Sequence, residues 1–225
     1  MESETCTPEP VSTDRLRLTE IFVSLQGEAR TAGRVTTFVR LTGCPLRCQY
    51  CDTAYAFHGG EWWNFDAILD KVRELGAHHV CVTGGEPLAQ KRARTLLTML
   101  CDAGFDVSLE TSGSLDVSAV DPRVSRIVDI KTPDSHESHR NLLSNLDVLT
   151  PHDQLKFVIC SRADYEWSRA MLRDLQLDAR CEVLFSPSFT QVDPTQLADW
   201  VVEDRLPVRF QFQLHKVLWN DEPGR

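Results

Sequence analysis

The sequence predicts an α/β protein, an incomplete (β/α) barrel of six to seven mainly parallel strands with flanking helices. Three observations carry that prediction. Runs with strand patterning alternate with stretches whose apolar residues recur at helical spacing, which is how βα units wind a parallel sheet. The parallel strands, six or seven, are fewer than the eight that close a full barrel, so the sheet should stay open. Polar residues of unusual chemistry recur where successive strands end, the face on which such barrels build their sites.

Residues 1–14, with Pro8 and Pro10 among Ser, Thr and Glu, read as a flexible lead, and residues 15–225 as a single domain. Residues 18–25 and 36–41 pattern as the two strands of a first hairpin. Ile68, Leu69, Val72 and Leu75 mark one face of a helix over 66–75, with Asn64 as its N-cap. There follow strand 79–83, helix 91–101, strands 106–110 and 126–130, helix 139–145 and strand 154–159. Helix 163–175, strand 182–185, helix 194–202 and strand 209–215 complete the series. Trp62 and Trp63 are large enough to seal a core or to line a pocket.

At 225 residues there is material for one sizeable core, and no short repeat or low-complexity tract divides it. Lys and Arg total 24 against 33 Asp and Glu, a net charge of -9, which excludes broad electrostatic capture of nucleic acid and favours a small-molecule substrate. The N-terminus lacks the basic and apolar regions of a secretory signal, and no apolar run reaches membrane-spanning length. A cytoplasmic protein with no membrane partner is expected. Eight cysteines without such a signal suit a reducing compartment.

The densest chemistry lies in L-T-G-C-P-L-R-C-Q-Y-C-D-T at 41–53, where Cys44, Cys48 and Cys51 stand in C-x3-C-x2-C spacing. Four thiolates on a 4Fe-4S cube make an electron carrier, whereas three leave one iron open to a ligand. Structural zinc is the alternative, but it normally takes four ligands, and none of Cys6, Cys81, Cys101, Cys160 and Cys181 forms a second C-x-x-C. Later strand ends carry Thr83 to Pro87, Glu110 to Gly113, Asp129 to Lys131, Ser186 to Ser188 and His215-Lys216. Gly84 and Gly85 let backbone approach a ligand, or make a tight turn with Glu86 capping the next helix. Turns are rich in such residues by nature, but these five ends together with the cysteine loop, six on one face, form a site. The histidines at 58, 78, 79, 136, 139 and 152 show no metal-ligand spacing.

The cysteine loop resembles that of radical S-adenosylmethionine (SAM) enzymes at every position. The resemblance implies a barrel of the radical SAM type and a 4Fe-4S cluster on Cys44, Cys48 and Cys51. The open iron would take SAM and, given an electron, cleave it to a 5′-deoxyadenosyl radical. Tyr50, Cys51, Asp52, Gly85, Glu110, Ser112 and Lys131 fall at positions that imply SAM contacts, with Asp129 beside them. Within the superfamily, S-L-Q-G-E at 24–28, Arg40, Asp52-Thr53 and Q-L-H-K at 213–216 are similar to the 7-carboxy-7-deazaguanine synthases, from about Leu18 onward.

That likeness implies a Mg2+-assisted lyase of queuosine and 7-deazapurine biosynthesis. Its reaction rearranges 6-carboxy-5,6,7,8-tetrahydropterin to 7-carboxy-7-deazaguanine with loss of ammonia. Thr53 is the implied Mg2+ ligand, and Leu25, Gln26, Gly27, Glu28, Arg40, Thr83 and His215 the implied substrate contacts. The planar fork of Arg40 suits the substrate carboxylate. A homodimer and an external electron donor such as flavodoxin or ferredoxin are implied as partners. The chain departs from the commoner motif in having Ala29, not Gly, after Glu28, and in Asp129-Ile-Lys131, where some members have Ser-Pro-Lys. Two alternatives stand beside this reading. A radical SAM activase of a partner protein would lack the S-L-Q-G-E and Arg40 set, and a non-catalytic zinc module would bind one zinc and no sulfide.

Overall fold

The structure, a computed structural model, describes residues 14–220 and Gly224; the expected lead at 1–13 lies outside the described residues. The chain opens with the expected hairpin, β1 (Arg15–Leu25) antiparallel to β2 (Val35–Leu41). It continues through β3 (Glu61–Asn64), α1 (Phe65–Leu75), β4 (His79–Gly84), α2 (Ala93–Asp102), β5 (Asp106–Thr111) and β6 (Ser125–Ile130). The last third holds β7 (Gln154–Ile159), α3 (Arg162–Asp174), β8 (Glu182–Pro187), α4 (Pro194–Glu203), β9 (Arg209–Phe210) and α5 (Leu214–Trp219). Among the described residues nine strands form one sheet in the order β3-β1-β2-β4-β5-β6-β7-β8-β9. From β2 to β9 the pairing is parallel, and β3 and β9 are the two edges, so the barrel is open.

Strands β4, β6, β7 and β8 are buried almost throughout, as strands covered on both faces must be. Their apolar side chains, among them Val80, Val82, Val128, Leu155 and Phe185, form the core with α1 to α4. The helix ends use ordinary caps. The Ser161 hydroxyl accepts from Asp164 N–H to start α3, Asp193 accepts from Thr195 N–H ahead of Pro194 in α4, and Gly76 closes α1 at φ 75°. At the amino ends of the strands Arg126 clasps Asp153 through Nε at 2.8 Å and Nη2 at 2.6 Å.

Three expectations need correcting, and a fourth holds for Trp63 alone. Residues 139–145 are 3-10 turns, not a helix, because their polar side chains are used elsewhere: Asn141 pairs with both backbone groups of Lys131, and Asn145 with Val117 N–H and the Gly113 and Leu115 carbonyls. The strand expected over 209–215 stops at Phe210, since its neighbour β8 runs into Pro187, which has no N–H to continue a ladder. His215 therefore stands in the first turn of α5. Asn64 precedes α1 but its side chain makes no cap; the N–H of Phe65 goes to Asp14 O instead. Trp62 and Trp63 form β3 against β1: Trp62 is exposed beneath the Arg15 guanidinium, Trp63 packs on the core, and neither lines the cavity at the carboxyl ends of the strands.

Candidate active site

The polar strand ends converge on a cavity of about 550 Å³. Its wall is made by the 41–53 loop, the start of the β1–β2 connection, the ends of the central strands and the start of α5. Every residue that the sequence singled out for cluster, SAM, Mg2+ or substrate lines it.

The cysteine loop is shaped by backbone bonds. Gly43 N–H donates to Ala56 O at 2.8 Å, Glu86 N–H to Gly43 O at 2.9 Å, and Cys51 N–H to Cys48 O at 3.1 Å. Arg47 donates to the carbonyls of Cys44 and Leu46 and lies 4.2 Å over the Phe57 ring. Gly85 packs so closely that a Cβ there would stand 2.6 Å from both Cys44 Cβ and Gly43 O. Glu86 is fully buried and turned away from the cavity wall, accepting from Leu88 N–H, the Thr111 hydroxyl, and the N–H and hydroxyl of Ser112. It is a brace between the ends of β4 and β5, and it leaves the Gly84-Gly85 backbone to face a ligand.

The three thiols are free and half-buried. Burial pushes all of them up, Cys48 to about 11, while the Lys131 ammonium opposes the rise at each. Metal binding would displace those protons. Among the described residues no group of three His, Cys, Asp or Glu is arranged to hold a single metal ion. Three thiols on one wall, with a lysine to offset thiolate charge, fit a multi-iron cluster taking one thiolate per iron better than they fit zinc. Beside them the Thr53 hydroxyl donates to Asp52 at 2.9 Å, which leaves its lone pairs for Mg2+. Burial pushes the Asp52 carboxyl up, but Lys216 at 2.8 Å, with bonds from Gln213 and Thr53, outweighs that and holds it below the usual carboxylate range.

The rest of the wall is assembled from side chains far apart in sequence. Arg40 donates Nε to Glu20 at 2.7 Å, and Tyr55 donates its hydroxyl to the same oxygen at 2.8 Å. Among the described residues the Nη groups of Arg40 meet no acceptor, so the fork is fixed at one edge and open at the other. Gln26 donates to Glu110 at 3.2 Å and Thr83 to its other oxygen at 3.3 Å. Burial pushes the Glu110 carboxyl up, and the charge of Lys156 offsets that only in part. Glu110, expected on the SAM side, thus sits with residues expected to hold substrate. Gly27 lies under the His215 ring, where a Cβ would stand 2.2 Å from Nδ1.

Residues 38–176 match the radical SAM superfamily. The chain is 43% identical over 210 residues to the 7-carboxy-7-deazaguanine synthase of Chlorobaculum tepidum, an alignment covering 92% of this chain and 96% of that one. This chain belongs to the 7-carboxy-7-deazaguanine synthase family. A protein of the same name from Koribacter versatilis is 42% identical over 222 residues, covering 92% and 98% of the two chains. In fold the chain resembles the crystal structure of QueE from Escherichia coli, with a TM-score of 0.74, 24% identity, and 89% and 95% of the chains covered. It is a radical SAM enzyme, and that superfamily implies a 4Fe-4S cluster and SAM. No helix among the described residues is long and apolar enough to cross a membrane.

Several wall residues of this family member escape a reading of motifs. Lys156 lies inside a strand and Tyr55 past the cysteine loop; Glu20, which is not in the wall but holds Arg40 from β1, escapes it as well. One signal marks Lys156, a charge set between Leu155 and Phe157 in a strand that is buried along most of its length.

Proposed function

We propose that the enzyme converts 6-carboxy-5,6,7,8-tetrahydropterin to 7-carboxy-7-deazaguanine with release of ammonia, using a cluster on Cys44, Cys48 and Cys51, SAM and Mg2+. The observation that carries this is the shared cavity: three thiols and the Gln26 to Glu28, Arg40, Thr83 and His215 set line one space. When bound, the cluster supplies the electron that cleaves SAM, and that cleavage starts hydrogen abstraction at the substrate.

The chain's own residues bind and orient. The open edge of the Arg40 fork takes the pterin carboxylate, with Glu20 and Tyr55 holding it in place. Thr53 would hold Mg2+ through its hydroxyl oxygen, and the ion would supply Lewis-acid polarisation of the substrate carboxylate. Glu110 has no ion-pair partner among the described residues, so its oxygens serve the N–H donors of the pterin ring, and His215 lies against Gly27 to close the wall. The Gly84-Gly85 backbone, Tyr50, Asp52, Ser112 and Lys131 serve SAM. An external one-electron donor of the flavodoxin or ferredoxin type, a homodimer, one domain from residue 15 and a cytoplasmic setting complete the reading.

Anaerobic turnover of the reconstituted protein with SAM, a reductant, Mg2+ and the pterin should yield the deazaguanine and ammonia, read by mass spectrometry. Cleavage of SAM with the pterin intact would overturn the substrate; an intact SAM on a fully loaded cluster would overturn the reading altogether.

A further inference from the structure

Lys156 is a buried charge that the roles above leave unused. It stands mid-strand in β7 between Leu155 and Phe157, directly across from Asp129 in β6, and its side chain is nearly nine-tenths buried at the cavity wall. Its Nζ lies 2.6 Å from Glu28 Oε2 and 3.6 Å from Asp129 Oδ2. The same Asp129 oxygen lies 3.1 Å from Lys131 Nζ. A chain of alternating charge, Glu28–Lys156–Asp129–Lys131, therefore runs along the wall from the substrate-side turn to the lysine beside the thiols.

An apolar side chain between Leu155 and Phe157 would avoid stripping water from an ammonium, and buried ion pairs are often replaceable that way without loss of stability. Stability alone gives no reason for a lysine here. Geometry does. Glu28 follows Gly27 in a tight turn whose backbone is already tied down, its own N–H donating to Gln26 Oε1 at 3.2 Å and the next N–H, of Ala29, to Gln211 Oε1 at 2.8 Å. The backbone fixes where Glu28 starts, and Lys156 fixes where its carboxylate ends.

We propose that Lys156 is a positioning residue for substrate, acting through Glu28: it holds that carboxylate in the orientation that receives the pterin. The inference rests on the pterin reading of the cavity. It is tested with Lys156→Met, Glu28→Gln and the double variant, each reconstituted with its cluster. Pterin affinity in the presence of SAM, SAM affinity, iron content and turnover are measured for each.

Lys156→Met should weaken pterin binding roughly 10- to 100-fold, the range for loss of a hydrogen bond between charged groups. It should leave SAM affinity and iron content unchanged. The double variant should lose no more than the larger of the two single losses, because both act through one carboxylate. A merely structural lysine would lower iron content and SAM affinity together with pterin affinity. Losses that multiply in the double variant, or pterin affinity untouched by Lys156→Met, would overturn the inference alone. A wild-type protein that neither binds nor converts the pterin would overturn the proposed function and this inference with it. If that variant fails to fold, Lys156→Gln replaces it; a neutral amide bonds a carboxylate more weakly than an ammonium does, so a smaller loss of pterin affinity is expected, and no loss at all would overturn the inference.

Discussion

The two parts of the cavity wall are built by opposite means. The cysteine part is one continuous run, 41–53, shaped by backbone hydrogen bonds and by the close approach of Gly85. The substrate part has no continuous stretch of its own beyond the turn at 26–28. It is a set of side chains from β1, β2, β4, β5, β6, β7 and α5, held by ion pairs and hydrogen bonds such as Arg40–Glu20 and Lys156–Glu28. A backbone-built part tolerates side-chain changes but not a change in chain path. A side-chain-built part answers in graded steps, one partner at a time.

The largest effect should come from Gly85→Ala. Its Cβ would meet Cys44 Cβ and the Gly43 carbonyl at 2.6 Å, and the backbone carbonyl can yield only if the whole loop moves. Iron and sulfide content after reconstitution should fall close to zero while the far-ultraviolet circular dichroism keeps its wild-type shape. Full cluster loading in this variant would break the comparison.

Gly27→Ala tests the other part. The new methyl would stand 2.2 Å from His215 Nδ1, so the ring must swing aside, but a side chain can do so without unfolding anything. Cluster content and SAM affinity should be those of the wild type, with kcat/KM for the pterin lower by about 100-fold, the usual scale for groups displaced by about an ångström. Loss of iron here would show that the two parts are not separable.

The smallest effect is expected at Ala29, where the chain departs from the commoner glycine. Ala29 sits at φ 63°, in the left-handed region that glycine favours, with its methyl buried against Ile127 and Leu184. Ala29→Gly would relieve about 1 kcal/mol of backbone strain. It would also free the unfolded chain, at about 0.4–1 kcal/mol, and lose a buried methyl, at about 0.8 kcal/mol. These nearly cancel, and chemical denaturation should find the variant less stable by under about 1 kcal/mol, with cluster loading unchanged. A larger loss would show that the methyl pins the turn carrying Glu28 and sharpen the contrast between the parts.

The two modes of construction also explain what could be read without coordinates. Cys44, Cys48, Cys51 and Thr53 are legible because their spacing is local and their chemistry is written in residue type. The strands were legible because burial on both faces leaves long apolar runs, as in β4, β7 and β8. The turns at 138–148 were not, because Asn141 and Asn145 look like ordinary helix-surface residues until the backbone groups they bond to are known. Trp62 and Trp63 gave no sign that they would make an edge strand, since that depends on which segment comes to the edge of β1 opposite β2.

By itself the sequence determined the open α/β architecture, the cysteine loop and the turn at 26–28, because each depends on neighbours a few residues away. Only the tertiary structure decided that Glu86 is a brace, that Glu110 belongs with Gln26 and Thr83, that His215 begins a helix over Gly27, and that Lys156 meets Glu28. Those facts depend on which side chains parallel strands bring face to face. Coulombic and hydrogen-bond partners are chosen by distance in space, and sequence separation carries no information about that distance until the sheet is wound.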